Sequence, residues 1–210
     1  MTRLSDVTGV LLAGGASRRF PPNKLLHTYE GGPLFWRPLR ALATACGEIV
    51  LVLAAGAPEP QLPLLGTSVR VVRDPAVDQG PLVALASALG GVRTAWALLV
   101  GGDMPDIKPA LLRAMAERAS TSSADVVALA DKDEAWPMPA LFRVAVARPA
   151  AARLVESGER RLRAIVNELN TERLDERWWA QHDPSGSWRR DIDRPADLRG
   201  REPNGPANLG

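Results

Sequence analysis

Two stretches of this 210-residue chain set glycines beside charge in ways that suit phosphate chemistry. The first is Leu12-Ala13-Gly14-Gly15-Ala16-Ser17-Arg18-Arg19, continued by Phe20-Pro21-Pro22-Asn23-Lys24. Gly14 and Gly15 let backbone N–H groups approach an anion with no Cβ in the way, and Arg18, Arg19 and Lys24 add positive charge within one loop. Together they describe a cradle for a triphosphate, whereas a plain tight turn would explain the glycine pair alone. It is not a P-loop, because Lys24 is neither preceded by Gly nor followed by Ser or Thr, and no G-x-G-x-x-G is present. Lys24 carries extra weight because only Lys24, Lys108 and Lys132 of the 26 basic residues are lysines. A compact ammonium in an arginine-rich chain suits a point charge toward phosphate.

The second stretch is Leu98-Leu99-Val100-Gly101-Gly102-Asp103-Met104-Pro105, an apolar strand ending on two glycines and a carboxylate. There Asp103 can hold Mg²⁺ against phosphates. Alternatively Asp103 belongs to a turn in which Asp106 caps the helix entered at Pro109. A third stretch, Asp74 to Leu82, enters a helix through Gly80-Pro81-Leu82, where exposed amides can contact a base or a phosphate. An ordinary strand-to-helix turn fits equally. In a fourth, Asp191-Ile192-Asp193, alternation puts both carboxylates on one face, as a metal site or a solvated edge. Glu159-Arg160-Arg161 is either a solvated helix face or an anion-binding edge. His27 and His182 have no partner at ligand spacing, and Trp178, Trp179 and Trp188 read as packing residues.

The elements that must position these residues alternate. Short apolar runs at Val7 to Leu12, Ile49 to Ala54, Val69 to Val72, Ala97 to Val100 and Val126 to Leu129 read as buried strands. Helix-like segments lie around Phe35 to Ala45, Leu82 to Leu89 and Pro109 to Ala119, the last with proline in its first turn. This alternation predicts an α/β fold, doubly wound on a mainly parallel sheet in three α/β/α layers, with loops at the strand carboxyl ends forming the site. After Leu129, the run Trp136 to Phe142 and a helical stretch from about Arg148 to Asn167 read as an insertion covering one sheet edge.

With 46% hydrophobic residues the chain suits one domain, expected over 1–198, with 199–210 a disordered tail. A net charge of +2 with mixed signs argues against a nucleic-acid partner. No stretch reaches the roughly 18 apolar residues of a membrane span, and the single Cys46 excludes an internal disulfide. A cytoplasmic enzyme or binding protein is expected.

Taken together, these pieces resemble the molybdenum cofactor guanylyltransferase family of MobA-like nucleotidyltransferases, within the nucleotide-diphospho-sugar transferase superfamily, over about residues 8–198. Residues 12–24 match its L-A-G-G-x-S-x-R-M-G-x-D-K signature at Leu12, Ala13, Gly14, Gly15, Ser17, Arg19 and Lys24. Gly80-Pro81-Leu82, Asp103-Met104-Pro105, Trp136-Pro137-Met138, Ser157 to Arg161 and Asp191 to Pro195 follow in family order. The chain departs from the pattern at Phe20-Pro21 for Met-Gly, Asn23 for Asp, Trp136 for a frequent His, and Asp191 and Asp193 for Asn.

The resemblance implies a Rossmann-like nucleotide-diphospho-sugar transferase fold. It also implies transfer of GMP from GTP to a phosphorylated pterin-type acceptor of the molybdopterin kind, with Mg²⁺ as cofactor. Leu12, Ala13, Gly14, Gly15, Lys24, Asp74, Gly80, Pro81, Leu82 and Asp103 would then bind nucleotide. Arg19, Lys24 and Asp103 would act catalytically, Asp103 and Asp193 would meet the metal, and Arg160, Arg161 and Asp191 the acceptor. Cofactor-assembly proteins or molybdoenzymes are the expected partners. A cofactor cytidylyltransferase using CTP, a sugar-phosphate nucleotidyltransferase and a nucleotide-binding protein without turnover are the alternatives.

Overall fold

A computed structural model describes residues 4–14, 25, 27–75, 79–192 and 197. In chain order, the elements are β1 (Leu4–Leu12), β2 (Thr28–Tyr29), β3 (Gly32–Pro33), α1 (Trp36–Ala45), β4 (Cys46–Leu53), β5 (Ser68–Arg73), α2 (Pro81–Gly91) and β6 (Trp96–Gly101). There follow α3 (Pro109–Thr121), β7 (Val126–Asp131), β8 (Glu134–Arg143), α4 (Val144–Glu156), α5 (Leu162–Glu168), β9 (Thr171–Leu174) and α6 (Glu176–Trp179).

Seven strands form one sheet in the order β5-β4-β1-β6-β8-β7-β9, while β2 and β3 make a separate hairpin. Strands β5, β4, β1 and β6 run parallel, and β8 is antiparallel to both its neighbours. The central strands read as unbroken apolar runs because both faces are covered. On one face Leu11, Leu51 and Leu98 pack with Leu39 of α1 and Met115 of α3. On the other, Val10, Val50 and Leu99 pack with Leu85 of α2 and Ala147 of α4. Helix α2 is apolar nearly all round, as its place between sheet and α4 requires. These three layers are the architecture the alternation predicts.

The later chain differs from its sequence reading. Trp136 to Phe142 does not cover an edge: β8 inserts between β6 and β7, and β9 forms the edge. Pro137 and Pro139 are unusual in an internal strand, since proline lacks the ladder donor. The register shows how they are accommodated. Ala130 pairs with Ala135 and Ala128 with Ala140, so residues 136–139 bulge out and regular pairing resumes at Ala140. The stretch from Arg148 to Asn167 is two helices, broken at Ser157–Arg161, where Gly158 has φ of +91°.

Candidate active site

The parallel strands end along one side of the sheet, and among the described residues Gly14, Asp74 and Asp103 follow the ends of β1, β5 and β6 there. From β1 the chain leads to β4 on one side, and from β6 to β7 on the other, so a topological switch point lies between β1 and β6, where open α/β sheets place a ligand crevice. Leu12 and Gly101 are direct register partners. One step further, Gly102 N–H donates to Leu12 O at 2.9 Å, which ties the two loops together at their roots. Gly14 thus stands just beyond the end of β1 and Asp103 just beyond the end of β6.

Backbone packing demands a glycine at position 14. A Cβ there would lie 2.7 Å from the Leu53 carbonyl carbon and 3.0 Å from Ala54 Cα. Ala13 N–H donates to Val52 O at 2.8 Å, so the turn is seated directly on the end of β4. Asp103 is half-buried, and its Oδ1 lies 2.6 Å from where a Gly101 Cβ would stand, so the carboxylate folds back over the strand end. Its carbonyl accepts from Ile192 N–H at 2.9 Å, which brings Asp191 alongside.

Gly15, Arg18, Arg19, Lys24 and Asp193 lie outside the described residues. Leu25, which follows Lys24 in sequence, is described. Its methyl groups lie 3.2 and 3.4 Å from a Cβ built on Gly102, and it packs with Tyr29, Leu34 and Ile192.

Asp74 follows β5 on the far side of β4, with its N–H bound to Leu53 O at 2.9 Å. Its Oδ1 is buried without a hydrogen-bond partner among the described residues. Burial accordingly holds this carboxyl above the usual carboxylate range. Gly80 caps α2 with φ of +89°, and a Cβ there would lie 2.9 Å from both Arg160 Cβ and Arg160 O. Leu82 N–H donates to that same carbonyl at 3.1 Å, so the Gly80-Pro81-Leu82 entrance and the Arg160-Arg161 turn form one unit. In that turn Glu159 accepts from the amides of Arg160 and Arg161 at 2.8 and 3.0 Å and from the Arg161 guanidinium at 2.9 Å. The Arg161 side-chain bond, then the two amides, lower the Glu159 carboxyl to about 2.

The alternative in which Asp106 caps α3 is not what the structure shows. Lys108 is the N-cap, with no side-chain bond. Asp106 is instead a buried hub: Arg190 pairs with its Oδ2 at 2.6 Å and Arg37 approaches its Oδ1 at 3.8 Å. Arg37 also donates to Pro105 O at 3.0 Å, and Ser187 Oγ to Asp106 O at 2.9 Å. The loop carrying Asp103 is thereby fixed from α1 and from the C-terminal segment. Fully buried Asp183 anchors that segment by accepting from Ser185 Oγ, Ser187 Oγ and Trp188 N–H. No spacing rule finds Asp106 with Arg190, since 84 residues separate them.

An open, mainly parallel sheet with one antiparallel strand, a glycine turn and an aspartate at adjacent strand ends is the arrangement of a nucleotidyltransferase of the nucleotide-diphospho-sugar transferase fold. Residues 9–174 match the family model described as the MobA-like NTP transferase domain, and this chain belongs to that family. A probable molybdenum cofactor guanylyltransferase of Chloroflexus aggregans is 32% identical over 197 residues, covering 92% of each chain. One of Mycobacterium tuberculosis is 33% identical over 175 residues, covering 80% of this chain and 83% of that one. The structure of molybdopterin-guanine dinucleotide biosynthesis protein A from Archaeoglobus fulgidus superposes with a TM-score of 0.73 at 19% identity, covering 91% of this chain and 94% of that one. Nucleotidyltransferases of this family typically use a divalent metal. No helix among the described residues is long and apolar enough to cross a membrane.

Proposed function

We propose that this chain transfers GMP from GTP to the terminal phosphate of a molybdopterin-type pterin, releasing pyrophosphate, as a single cytoplasmic domain serving cofactor-assembly proteins or molybdoenzymes. The observation that carries this reading is the Gly102 to Leu12 hydrogen bond, which joins the glycine turn and the Asp103 loop at one crevice. The guanylyltransferase names of the relatives support GTP and a molybdopterin acceptor.

In this reading the nucleotide tail lies over Leu12, Ala13, Gly14 and Gly15, and Arg19 and Lys24 hold the β- and γ-phosphates. Asp74 accepts from the base at the β5 end, where its Oδ1 has no hydrogen-bond partner among the described residues. An acceptor phosphate oxygen bonds to the α-phosphorus while the bond to pyrophosphate breaks, so no protein nucleophile is required. Positioning and fixed charge supply the catalysis.

Asp103 suits a hard cation such as Mg²⁺. It is a half-buried oxygen donor at the crevice, and the described residues contain no cluster of three or more His, Cys, Asp or Glu that would form a cage. Such an ion binds through one or two carboxylates together with phosphates and water. Asp193 is the second carboxylate we assign to it. When bound, the ion neutralises negative charge on the phosphates. Arg160, Arg161 and Asp191 contact the acceptor.

Incubation with GTP, CTP, UTP or ATP, each with Mg²⁺ and molybdopterin, followed by mass identification of the product, tests the reading. A GMP adduct is expected, and a CMP adduct would overturn the base assignment. Asp103→Ala and Lys24→Ala should each lower turnover at least ~100-fold, as loss of one preorganised charge partner does. Near-normal turnover in both would remove the mechanism.

A further inference from the structure

Trp136 lies outside the proposed nucleotide half of the crevice and packs, partly buried, against the margin of the core. Strand β8 runs antiparallel to β6, so its first residues lie at the sheet edge where β6 ends. The register jump between Ala135 and Ala140 lifts Trp136 out of the ladder. Its indole is half-buried and meets fully buried Trp188 edge to face, with centroids 5.6 Å apart and planes at 87°.

That support is itself braced. Trp188 makes a second edge contact with Trp179 at 5.8 Å, and Trp179 Nε1 donates to Ala130 O at 3.0 Å. The Arg189 guanidinium stands 4.4 Å from the Trp179 ring and 4.8 Å from the Trp188 ring. The segment that braces Trp136 also touches Asp103, because Ser187 and Ile192, on either side of Trp188, bond the carbonyls of Asp106 and Asp103. Asp74 and Gly14, which serve the nucleotide, lie on the opposite side of β6.

We propose that Trp136 is the stacking wall for the planar ring of the acceptor, an inference that rests on the pterin reading above. A partly buried indole braced by fully buried Trp188, which itself packs on Trp179, loses little freedom when a flat heterocycle lies on it. A nitrogen-rich bicyclic ring is matched to its electron-rich face. The ring would lie on the β8 side of Asp103, with the acceptor phosphate directed back to the crevice.

The test compares Trp136→Ala and Trp136→Phe in steady-state GMP transfer, with equilibrium dialysis of a phosphorylated pterin as a readout apart from turnover. Loss of one aromatic stacking partner predicts a rise of roughly 10-fold or more in the acceptor KM and in the dialysis Kd for Trp136→Ala. The GTP KM should stay within about twofold, and Trp136→Phe should recover most of the loss. An unchanged acceptor KM in Trp136→Ala overturns the inference. So does a parallel rise in both KM values together with a lower Tm, which marks a packing role. Should the wild type transfer no GMP, the GMP-transfer reading fails, and pterin binding is judged separately. Dialysis then decides on its own, with Trp136-dependent binding supporting the stacking wall and Trp136-independent or absent binding refuting it.

Discussion

Replacing Gly14 by alanine tests the geometry of the glycine turn without touching any charge. The added Cβ would meet only backbone: the Leu53 carbonyl carbon at 2.7 Å, Ala54 Cα at 3.0 Å and Ala54 N closer still. Those atoms are held by Ala13 N–H on Val52 O at 2.8 Å and by Asp74 N–H on Leu53 O at 2.9 Å. No side chain can swing aside, so either the turn or the end of β4 has to shift. Overpacking of this kind costs about 1–3 kcal/mol, which for a chain of this size lowers Tm by about 2–12 °C. A shift approaching ~1 Å at the root of the crevice should cut kcat/KM for GTP up to ~100-fold. Gly90→Ala is the control: it sits near the end of α2, and its Cβ would meet nothing within 4 Å. Helix propensity there predicts a gain of up to about 1 kcal/mol and unchanged kinetics. Differential scanning calorimetry and initial rates with GTP read both effects. A Gly14→Ala enzyme with wild-type Tm and wild-type kcat/KM would refute the seating of the turn on β4.

Three other perturbations follow from the same contacts. The Glu159 carboxyl is lowered from 4.5 to about 2 in the fold, so its contribution is complete above pH 4.5 and fades as pH falls toward 2. Wild type should therefore lose more Tm than Glu159→Gln between pH 5 and pH 2.5, and parallel acid curves would contradict that. Asp74 is displaced the other way, held up by burial, so its charged form opposes folding once pH rises past the unfolded carboxyl's range. Asp74→Asn should raise Tm at pH 7.5 by a margin that closes on acidification while weakening preference for GTP; a lower Tm at pH 7.5 would show that the carboxylate has a stabilising partner. Asp183→Ala strands the buried Trp188 N–H, at a cost of about 1–3 kcal/mol. Thermal unfolding of that variant should begin lower, and an unchanged Tm would mean that the C-terminal segment contributes nothing to stability.

The central sheet was legible because parallel strands covered on both faces leave a direct mark in sequence: Leu98, Leu99 and Val100 are all fully buried, and each faces a core. The crevice was legible for a related reason. Gly14 and Asp103 each follow such a strand closely, so knowing the strands is nearly enough to know that both loops reach the same edge. Strand β8 was misread because Pro137 and Pro139 signal an edge locally, and only the register shows the bulge that accommodates them. Strand β9, Thr-Glu-Arg-Leu, has one buried residue and no apolar alternation to announce it. The role of Asp106 was invisible for a different reason. A carboxylate three residues before a helix looks like a cap, and its true partners, Arg37 and Arg190, come from opposite ends of the chain.

That contrast carries through to how the two halves of the site are held. The proposed nucleotide half rests on main-chain hydrogen bonds between strand ends, at Leu12, Val52 and Leu53, continuous with the sheet that defines the fold. Disturbing it means disturbing the central strands. The proposed acceptor half depends on a segment tied to the Asp103 loop by contacts distant in sequence, the Arg190 to Asp106 pair and the Ile192 amide on Asp103 O, and held within itself by the Asp183 carboxylate. Ties of that kind can open locally at a free energy below that of global unfolding. The carbonyl of Asp103 belongs to both systems, bonded to Ile192 just past the strand end that Gly102 fastens to Leu12. A rearrangement of the C-terminal segment on acceptor binding therefore has a short mechanical path to the aspartate, while the glycine turn stays seated on β4.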